Sequence, residues 1–340
     1  MVTTRTGGAP APLAVREAAW QLPEQRVPVG ELPELAGLDG ERRTTLAGLG
    51  IDTVAVDREL GPTGLAERAA RSALAGAGLA AQDLDALIVV DSRAPETLLS
   101  SEATRLQARL GADRAVTFGV GGLGCVSLGP ALLAARGLLA ADPDVRHVLV
   151  AHASTPATPG RYRHPVTVNG DAGQALLLAR TGPVRVLDLV QETNGAYWDL
   201  FRVDYRDRPW ESWQEECRDL PGYSFRLAVE TRNRLTALLE RLLKRHGLDR
   251  ADVAGYASQN LSAGGLRFLA ESLGVELLPE CRENLARYGH LGPNDVFLNL
   301  WTALANGRLA EGDRVVLVNV SPVAAWNLLL VEIGPWESTA

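Results

Sequence analysis

The sequence predicts an α/β protein, and two observations carry that reading. Short apolar, β-branched runs alternate with amphipathic helical stretches along nearly the whole chain, the rhythm of helices layered on sheets. The chain is also 340 residues long, which is long for a single core, and its rhythm restarts after Gly182. It therefore divides near residue 180 into an N-terminal half, 13–180, and a C-terminal half, 181–340. The halves share little letter-by-letter identity, so any repetition is architectural.

Residues 1–12 are expected to form a loose tail. Strand patterns follow at 13–27 and 51–56, with a polar helical piece between them. The stretch 64–77 (GLAERAARSALAGA) is alanine-rich with an apolar stripe and predicts a helix closed by Gly78. LDALIVVDS is a continuous apolar run with β-branched residues and predicts a buried strand. A helix is expected over 101–110 and a buried strand over 145–152 (VRHVLVAH), so His147 and His152 read as packing residues. Asn169-Gly170-Asp171-Ala172-Gly173 reads as a structural turn into a strand over 174–179. His164 and His246 read as surface groups. In the second half strands are expected at 184–190, 253–257, 314–320 and 324–333, with helices at 225–246, 264–273 and 293–305.

The stretch 115–141 (AVTFGVGGLGCVSLGPALLAARGLLAA) organises the chain. A short apolar run, 115–120, predicts a buried strand. Gly119, Gly121, Gly122 and Gly124 then give a turn whose backbone can take positive φ or approach a ligand closely. Cys125 follows at once, before a largely buried helix. A thiol on such a strand-to-helix turn meets the positive end of a helix, where N–H groups and the dipole favour the thiolate. A small buried core cysteine is the competing reading.

Composition narrows the function classes. Hydrophobic content of 46% and charged content of 22% fit a packed globule. The net charge of −7 argues against a nucleic-acid partner. Cys125, Cys217 and Cys281 form neither a disulfide framework nor a CxxC pair. No His, Cys and carboxylate spacing suggests a metal, and no phosphate-binding loop suggests a nucleotide. The opening MVTTRTGGAPAP lacks the apolar core of a signal peptide, and no apolar run reaches the roughly 20 residues of a membrane span. A cytoplasmic protein without membrane contact is expected. The segment 192–225 concentrates rings, among them Trp198, Phe201, Trp210 and Trp213, in a chain only 5% aromatic. They could wall a pocket for an apolar substrate group, or pack a subunit interface or outer lid.

The order of GLAERAARSALAGAGLAAQDLDALIVVDS, GVGGLGCVSLGPALLAARGLL, NGDAGQALLLA and RYGHLGPNDVFLNLWTALANGRLAEGDRVVLVNVS resembles the thiolase superfamily, and within it β-ketoacyl-acyl-carrier-protein synthase III. The resemblance covers residues from about 13 to 333. It implies two fused α/β halves in five layers (αβαβα), a homodimer, and no permanently bound cofactor. It also implies a cysteine that takes an acyl group from a phosphopantetheine thioester on an acyl carrier protein or CoA. Cys125 falls on that nucleophile position.

The rest of the expected site departs from the family. Where condensing members carry a histidine in a motif like PHQAN, this chain reads Ala257-Ser258-Gln259-Asn260. Where they carry asparagine in YGN, it has Tyr288-Gly289-His290. The late loop that helps position an acyl oxygen reads Ser321-Pro322-Val323. Cys125, His290 and Asp295 remain. A cysteine nucleophile needs a base within hydrogen-bond reach, and the base works best with a carboxylate fixing its tautomer. Asp295, in the first turn of the following helix, is close enough to serve. Alternatively it only caps that helix, and Asn294 is the competing orienter. The substitutions resemble a divergent branch of acyltransferases in natural-product pathways.

The resulting expectation is an acyltransferase that passes an acyl group from the carrier through Cys125 to a small-molecule hydroxyl or amine, or to another carrier. The Cys125 N–H and an amide from the 320–323 loop would hold the oxyanion, with Ser258, Asn294, Ser321 and Val323 around the site. A decarboxylating ketosynthase is the alternative, and a non-catalytic dimer partner of a condensing enzyme is the third reading. Helix 225–246 presents Arg232, Arg241 and Arg245, a surface for an acidic carrier or simply a solvated face.

Overall fold

Nine strands pair into one mixed sheet that runs through both halves of the chain. The computed structural model describes residues 11–91 and 94–335; residues 1–10 of the expected tail lie outside it. The strands are β1 (Ala14–Gln21), β2 (Ala86–Val90), β3 (Val116–Val120), β4 (Val148–Ser154), β5 (Ala172–Ala179), β6 (Val184–Thr193), β7 (Gly255–Ser258), β8 (Arg314–Ser321) and β9 (Ala325–Ile333). Their spatial order is β7-β8-β9-β6-β1-β5-β4-β2-β3. The halves meet where β1 pairs antiparallel with β6 over only Ala14↔Arg185 and Val15↔Val184. That short joint lets each half-sheet turn its face toward a shared centre.

The helices are α1 (Gly40–Ala47), α2 (Gly61–Gly76), α3 (Glu102–Leu110), α4 (Leu128–Ala141), α5 (Ala228–His246), α6 (Ala263–Leu273), α7 (Glu280–Tyr288) and α8 (Asp295–Ala305). Period-two alternation sorts the strand residues between them. Leu149 and Ala151 of β4 pack against α2 and α3, whereas Val148 and Val150 face the centre. In β8, Val316 and Val318 pack with α5 and α6, whereas Val315 and Leu317 face the centre. Helices α4 and α8 fill that centre with Leu128, Leu132, Leu139, Phe297, Leu300 and Leu304. The result is five layers: α2 and α3, the N-terminal half-sheet, α4 and α8, the C-terminal half-sheet, then α5 and α6. Strands buried on both faces explain why β2 and β4 read as continuous apolar runs.

The central position also explains a feature of α4. The stretch Gly124–Ala141 is long and apolar enough, by composition alone, to cross a membrane, yet half of it is buried inside the protein. A helix packed between two sheets must be apolar nearly all round.

Four expectations change. Strand β3 is half-exposed rather than buried, because it is the sheet's outer edge and has a neighbour on one side only. His147 precedes β4 instead of lying in it. Its ring bonds the Arg16 guanidinium and the Asp83 carbonyl. The helix expected from 225 starts at Ala228, after a π-type turn over Gly222–Leu227. Helix α7 was not anticipated, because its stripe of Cys281, Leu285 and Tyr288 is narrow among charged residues.

Candidate active site

Cys125 sits in a 3-10 turn, Gly124–Ser127, that leads from the end of β3 into α4. Its side chain belongs to the interior, with 3% exposure. Gly124 takes φ +55°, and a Cβ there would lie 2.7 Å from Ser321 Oγ. Only glycine therefore lets the turn press against the end of β8. Gly129, one turn into α4, allows a similar approach: a Cβ would stand 2.3 Å from Asn327 Nδ2 and 2.7 Å from Gln191 Oε1.

The C-terminal half brings His290 to this thiol. Helix α7 ends at Gly289, whose φ of +72° turns the chain into the N-terminal half. There the His290 N–H donates to the Val168 carbonyl at 2.9 Å, and the Gly170 N–H donates to the His290 carbonyl at 3.0 Å. The Asn169-Gly170 turn thus pins the histidine from across the molecule. His290 Nε2 lies 3.2 Å from Cys125 Sγ, and His290 Nδ1 lies 2.6 Å from Asp295 Oδ2. All three side chains are buried, His290 at 1% and Asp295 at 0% exposure.

Asp295 is the first residue of α8, yet its side chain does not cap that helix. Its Oδ1 accepts the Leu291 N–H at 2.9 Å, and its Oδ2 accepts the Asn260 N–H at 3.0 Å together with His290 Nδ1. Burial pushes this carboxyl up, opposed by His290 and the two amide donors. Two backbone N–H groups already donate to this carboxyl, an arrangement that favours the carboxylate and a third donation from His290 Nδ1. His290 then holds its proton on Nδ1. Burial alone would lower the imidazole pKa, but Cys125 and Asp295, through charge and hydrogen bonds, raise it to about 9. An imidazolium hydrogen-bonded to Cys125 on one side and Asp295 on the other is the arrangement that shift describes. Cys281 is the contrast: burial drives its thiol up to about 12, which makes it inert.

A ladder of amides supports the pair. Asn299 Nδ2 donates to the Ser258 carbonyl at 2.7 Å and to Asn260 Oδ1 at 2.8 Å, and Asn299 Oδ1 accepts from Asn284 Nδ2 at 2.8 Å. Gln259 clamps the end of β8, accepting the Val320 N–H at 2.7 Å and donating to the Val320 carbonyl at 2.8 Å. Sequence reasoning missed Asn284 and Asn299, and gave Asn260 no role beyond its place in the stretch matching PHQAN. The one available signal was Asn299 itself, a polar residue in the apolar helix VFLNLWTALA.

The other expected site residues fall in several places. Asn294 does not orient His290: its Nδ2 donates to the Ala172 carbonyl, and its Oδ1 finds no hydrogen-bond partner among the described residues. Ser258 and Ser321 are buried, and neither hydroxyl has a hydrogen-bond partner among the described residues. Val323 is half-buried in the β8–β9 loop. Of the amides expected to hold an oxyanion in that loop, Val320 is committed to Gln259 and Pro322 has none.

The aromatic segment does not gather around Cys125. Phe201 is buried against Tyr223, ring centroids 5.1 Å apart, under the Arg163 guanidinium. Trp198 and Trp210 are 71% and 53% exposed, because nothing among the described residues packs over them. Trp213 leans on Tyr205 and borders a cavity of about 610 Å³ whose lining includes none of Cys125, His290 and Asp295. On α5, Arg241 and Arg245 turn onto Glu192 and Asp188, at 3.1 and 3.3 Å, and Arg232 stays exposed. His246 and His164 are half-buried rather than on the surface; His246 lies beside Asp188, and His164 meets the Tyr162 hydroxyl. Among the described residues, no three His, Cys, Asp or Glu side chains are grouped to hold a metal ion.

No family model matches the chain. In solved structures the same fold appears in ChlB3, an acyltransferase, with a TM-score of 0.80 at 21% identity over 95% of this chain and 98% of that one. It appears again in 3-oxoacyl-(acyl carrier protein) synthase III, FabH, from Pseudomonas aeruginosa, with a TM-score of 0.79 at 21% identity over 96% and 99%. Sequence carries the relationship further. The β-ketoacyl-[acyl-carrier-protein] synthase III of Cereibacter sphaeroides is 30% identical over 327 residues, which covers 93% of this chain and 98% of that protein. An identity sustained from end to end, on a shared thiolase-like fold, makes this chain a member of the β-ketoacyl-acyl-carrier-protein synthase III family.

Proposed function

We propose that the protein is an acyltransferase of secondary metabolism that forms no carbon–carbon bond. It takes an acyl group from a phosphopantetheine thioester, on an acyl carrier protein or CoA, onto Cys125. It then passes the group to a hydroxyl or amine, or to another carrier. The observation that supports this most directly is the single hydrogen-bonded line Cys125–His290–Asp295. Ser258 stands where condensing relatives carry a histidine, so one of the two polar groups that would stabilise a decarboxylation enolate is missing.

In the resting enzyme Cys125 is the thiolate and His290 the imidazolium. The sulfur attacks the thioester carbonyl, and the carbonyl electron pair moves to oxygen. Collapse expels the pantetheine thiolate, which takes the proton from His290 Nε2. The acyl-cysteine carries no charge, so the Cys125 share of what raised the His290 pKa is gone while Asp295 remains, and burial weighs more heavily toward the neutral ring. Neutral His290 accepts the acceptor's proton as its oxygen or nitrogen attacks, and Asp295 keeps the tautomer throughout. Expulsion of the Cys125 thiolate restores the ion pair. One histidine thus serves as acid in the first half and base in the second.

A second reading, decarboxylating condensation, is favoured by the names of the relatives, which are β-ketoacyl-[acyl-carrier-protein] synthases III. The deciding experiment loads the enzyme with acyl thioester and follows intact mass, then adds either an alcohol or a malonyl carrier. Loss of the acyl group to the alcohol without carbon dioxide release supports transfer. We place the enzyme in the cytoplasm, where such carriers reside, and propose a homodimer, in keeping with the exposed outer edge of β3. Light scattering reads the oligomeric state.

A further inference from the structure

Alternation along β8 aims Ser321 at the centre of the molecule. Val315 and Leu317, on the same face, belong to the central core, so Ser321 at the strand's end points where Cys125 lies. The distance agrees: Ser321 Oγ is 2.7 Å from where a Cβ on Gly124 would stand. Gly124 Cα is two bonds from the Cys125 amide nitrogen, so the hydroxyl and that amide border the same small space. Gln259 holds the strand end rigid through both the N–H and the carbonyl of Val320.

The Ser321 hydroxyl is also idle. It is 4% exposed and has no hydrogen-bond partner among the described residues. A buried hydroxyl without a partner is uncommon and calls for a ligand that completes it. Of the neighbouring amides, the Val320 N–H is occupied and Pro322 has none, so neither can complete the site.

We propose that the Ser321 hydroxyl is a catalytic oxyanion donor. It hydrogen-bonds, beside the Cys125 N–H, to the thioester oxygen as negative charge gathers there. When the Cys125 sulfur bonds to the carbonyl carbon, the C=O pair shifts onto that oxygen. Ser321 O–H and Cys125 N–H hold it until the C=O bond re-forms and the pantetheine sulfur leaves. Ser321 keeps its own proton throughout. The same two donors serve the second tetrahedral intermediate. This assignment rests on the acyl-cysteine reading above, and it names a side chain where a loop amide was expected.

The test compares two reactions of Cys125 in Ser321→Ala. Acylation by an acyl-CoA passes through an oxyanion, whereas alkylation by iodoacetamide attacks a saturated carbon and makes none. Removing a hydroxyl without a partner strands no other group, so the fold should be kept. Acylation, read by intact mass against time, should slow by about 10²–10³-fold, with alkylation unchanged. Acylation at the wild-type rate overturns the Ser321 assignment and leaves the acyl-cysteine reading standing. Equal slowing of both reactions overturns it too, because Ser321 would then only hold the turn. A wild-type enzyme that is alkylated at Cys125 yet acylated by no thioester overturns the acyl-cysteine reading, and this assignment with it.

Discussion

Cys125 stands on a turn built from backbone, whereas His290 stands in a cage built from side chains. On the nucleophile's side, glycines give the chain its path: Gly124 lets the turn touch β8, and Gly129 lets α4 approach the C-terminal half-sheet. On the base's side, Asp295, Asn260, Asn299 and Asn284 form one continuous chain of buried hydrogen bonds. The difference follows from what the proposed transfer asks of each group. A thiolate needs a positive environment, which a helix start and a neighbouring imidazolium supply. A histidine that alternates between acid and base needs a fixed tautomer, and only a rigid acceptor behind the ring provides that.

Substitutions should separate the two sides. Cys125→Ala has no substitute nucleophile, so acylation measured by intact mass should vanish. A mass gain that survives would place the acyl group elsewhere. His290→Ala should slow transfer from pre-acylated enzyme by roughly 10²–10⁴-fold, the usual contribution of a positioned base. A wild-type transfer rate would remove His290 from the mechanism. Asp295→Asn should cost less than that, since His290 remains present but loses the acceptor that fixes its tautomer. Single-turnover kinetics on the acyl-enzyme measure both.

The ion pair makes a pH prediction with a definite sign. In the wild type, interactions with Cys125 and Asp295 outweigh burial and raise the His290 pKa to about 9. Cys125→Ala removes one of them, and burial, which lowers the value, then weighs more heavily. Titration of the His290 ring by NMR should show a lower pKa in Cys125→Ala than in the wild type. An unchanged or higher value would show that Cys125 carries no charge at rest. The smallest effect belongs to carrier docking, because Arg241 and Arg245 already face carboxylates of their own chain. Arg232→Glu should raise KM modestly for an acyl carrier donor and leave a small thioester donor unaffected. Equal changes for both would dismiss α5 as a docking face.

The same contrast decides what could be read from the sequence. The layers were legible, since strands buried on both faces and helices with apolar stripes each leave their period in the letters. The Cys125 turn was legible because its determinants, four glycines and an apolar helix, are neighbours in the chain. His290 and Asp295 lie five residues apart, within reach of motif comparison. The cage behind them was not legible. Asn260 meets Asp295 across 35 positions and Asn299 across 39, so no local pattern announces either contact. Nor does composition say which way a ring faces, and a dense aromatic segment turned out to hold one buried core residue, Phe201, beside two exposed tryptophans.

The central claim is that one histidine, switched by acylation of its neighbour, transfers acyl groups and does not condense them. The direct measurement is to load Cys125 with an acyl thioester, remove excess donor, and offer an alcohol acceptor and a malonyl carrier in separate reactions. Product mass and released carbon dioxide are then followed. The account predicts an ester from the alcohol, with return of unmodified enzyme, and neither a β-ketoacyl product nor carbon dioxide from the malonyl carrier. A β-ketoacyl product formed with release of carbon dioxide would contradict it and make the protein a condensing enzyme.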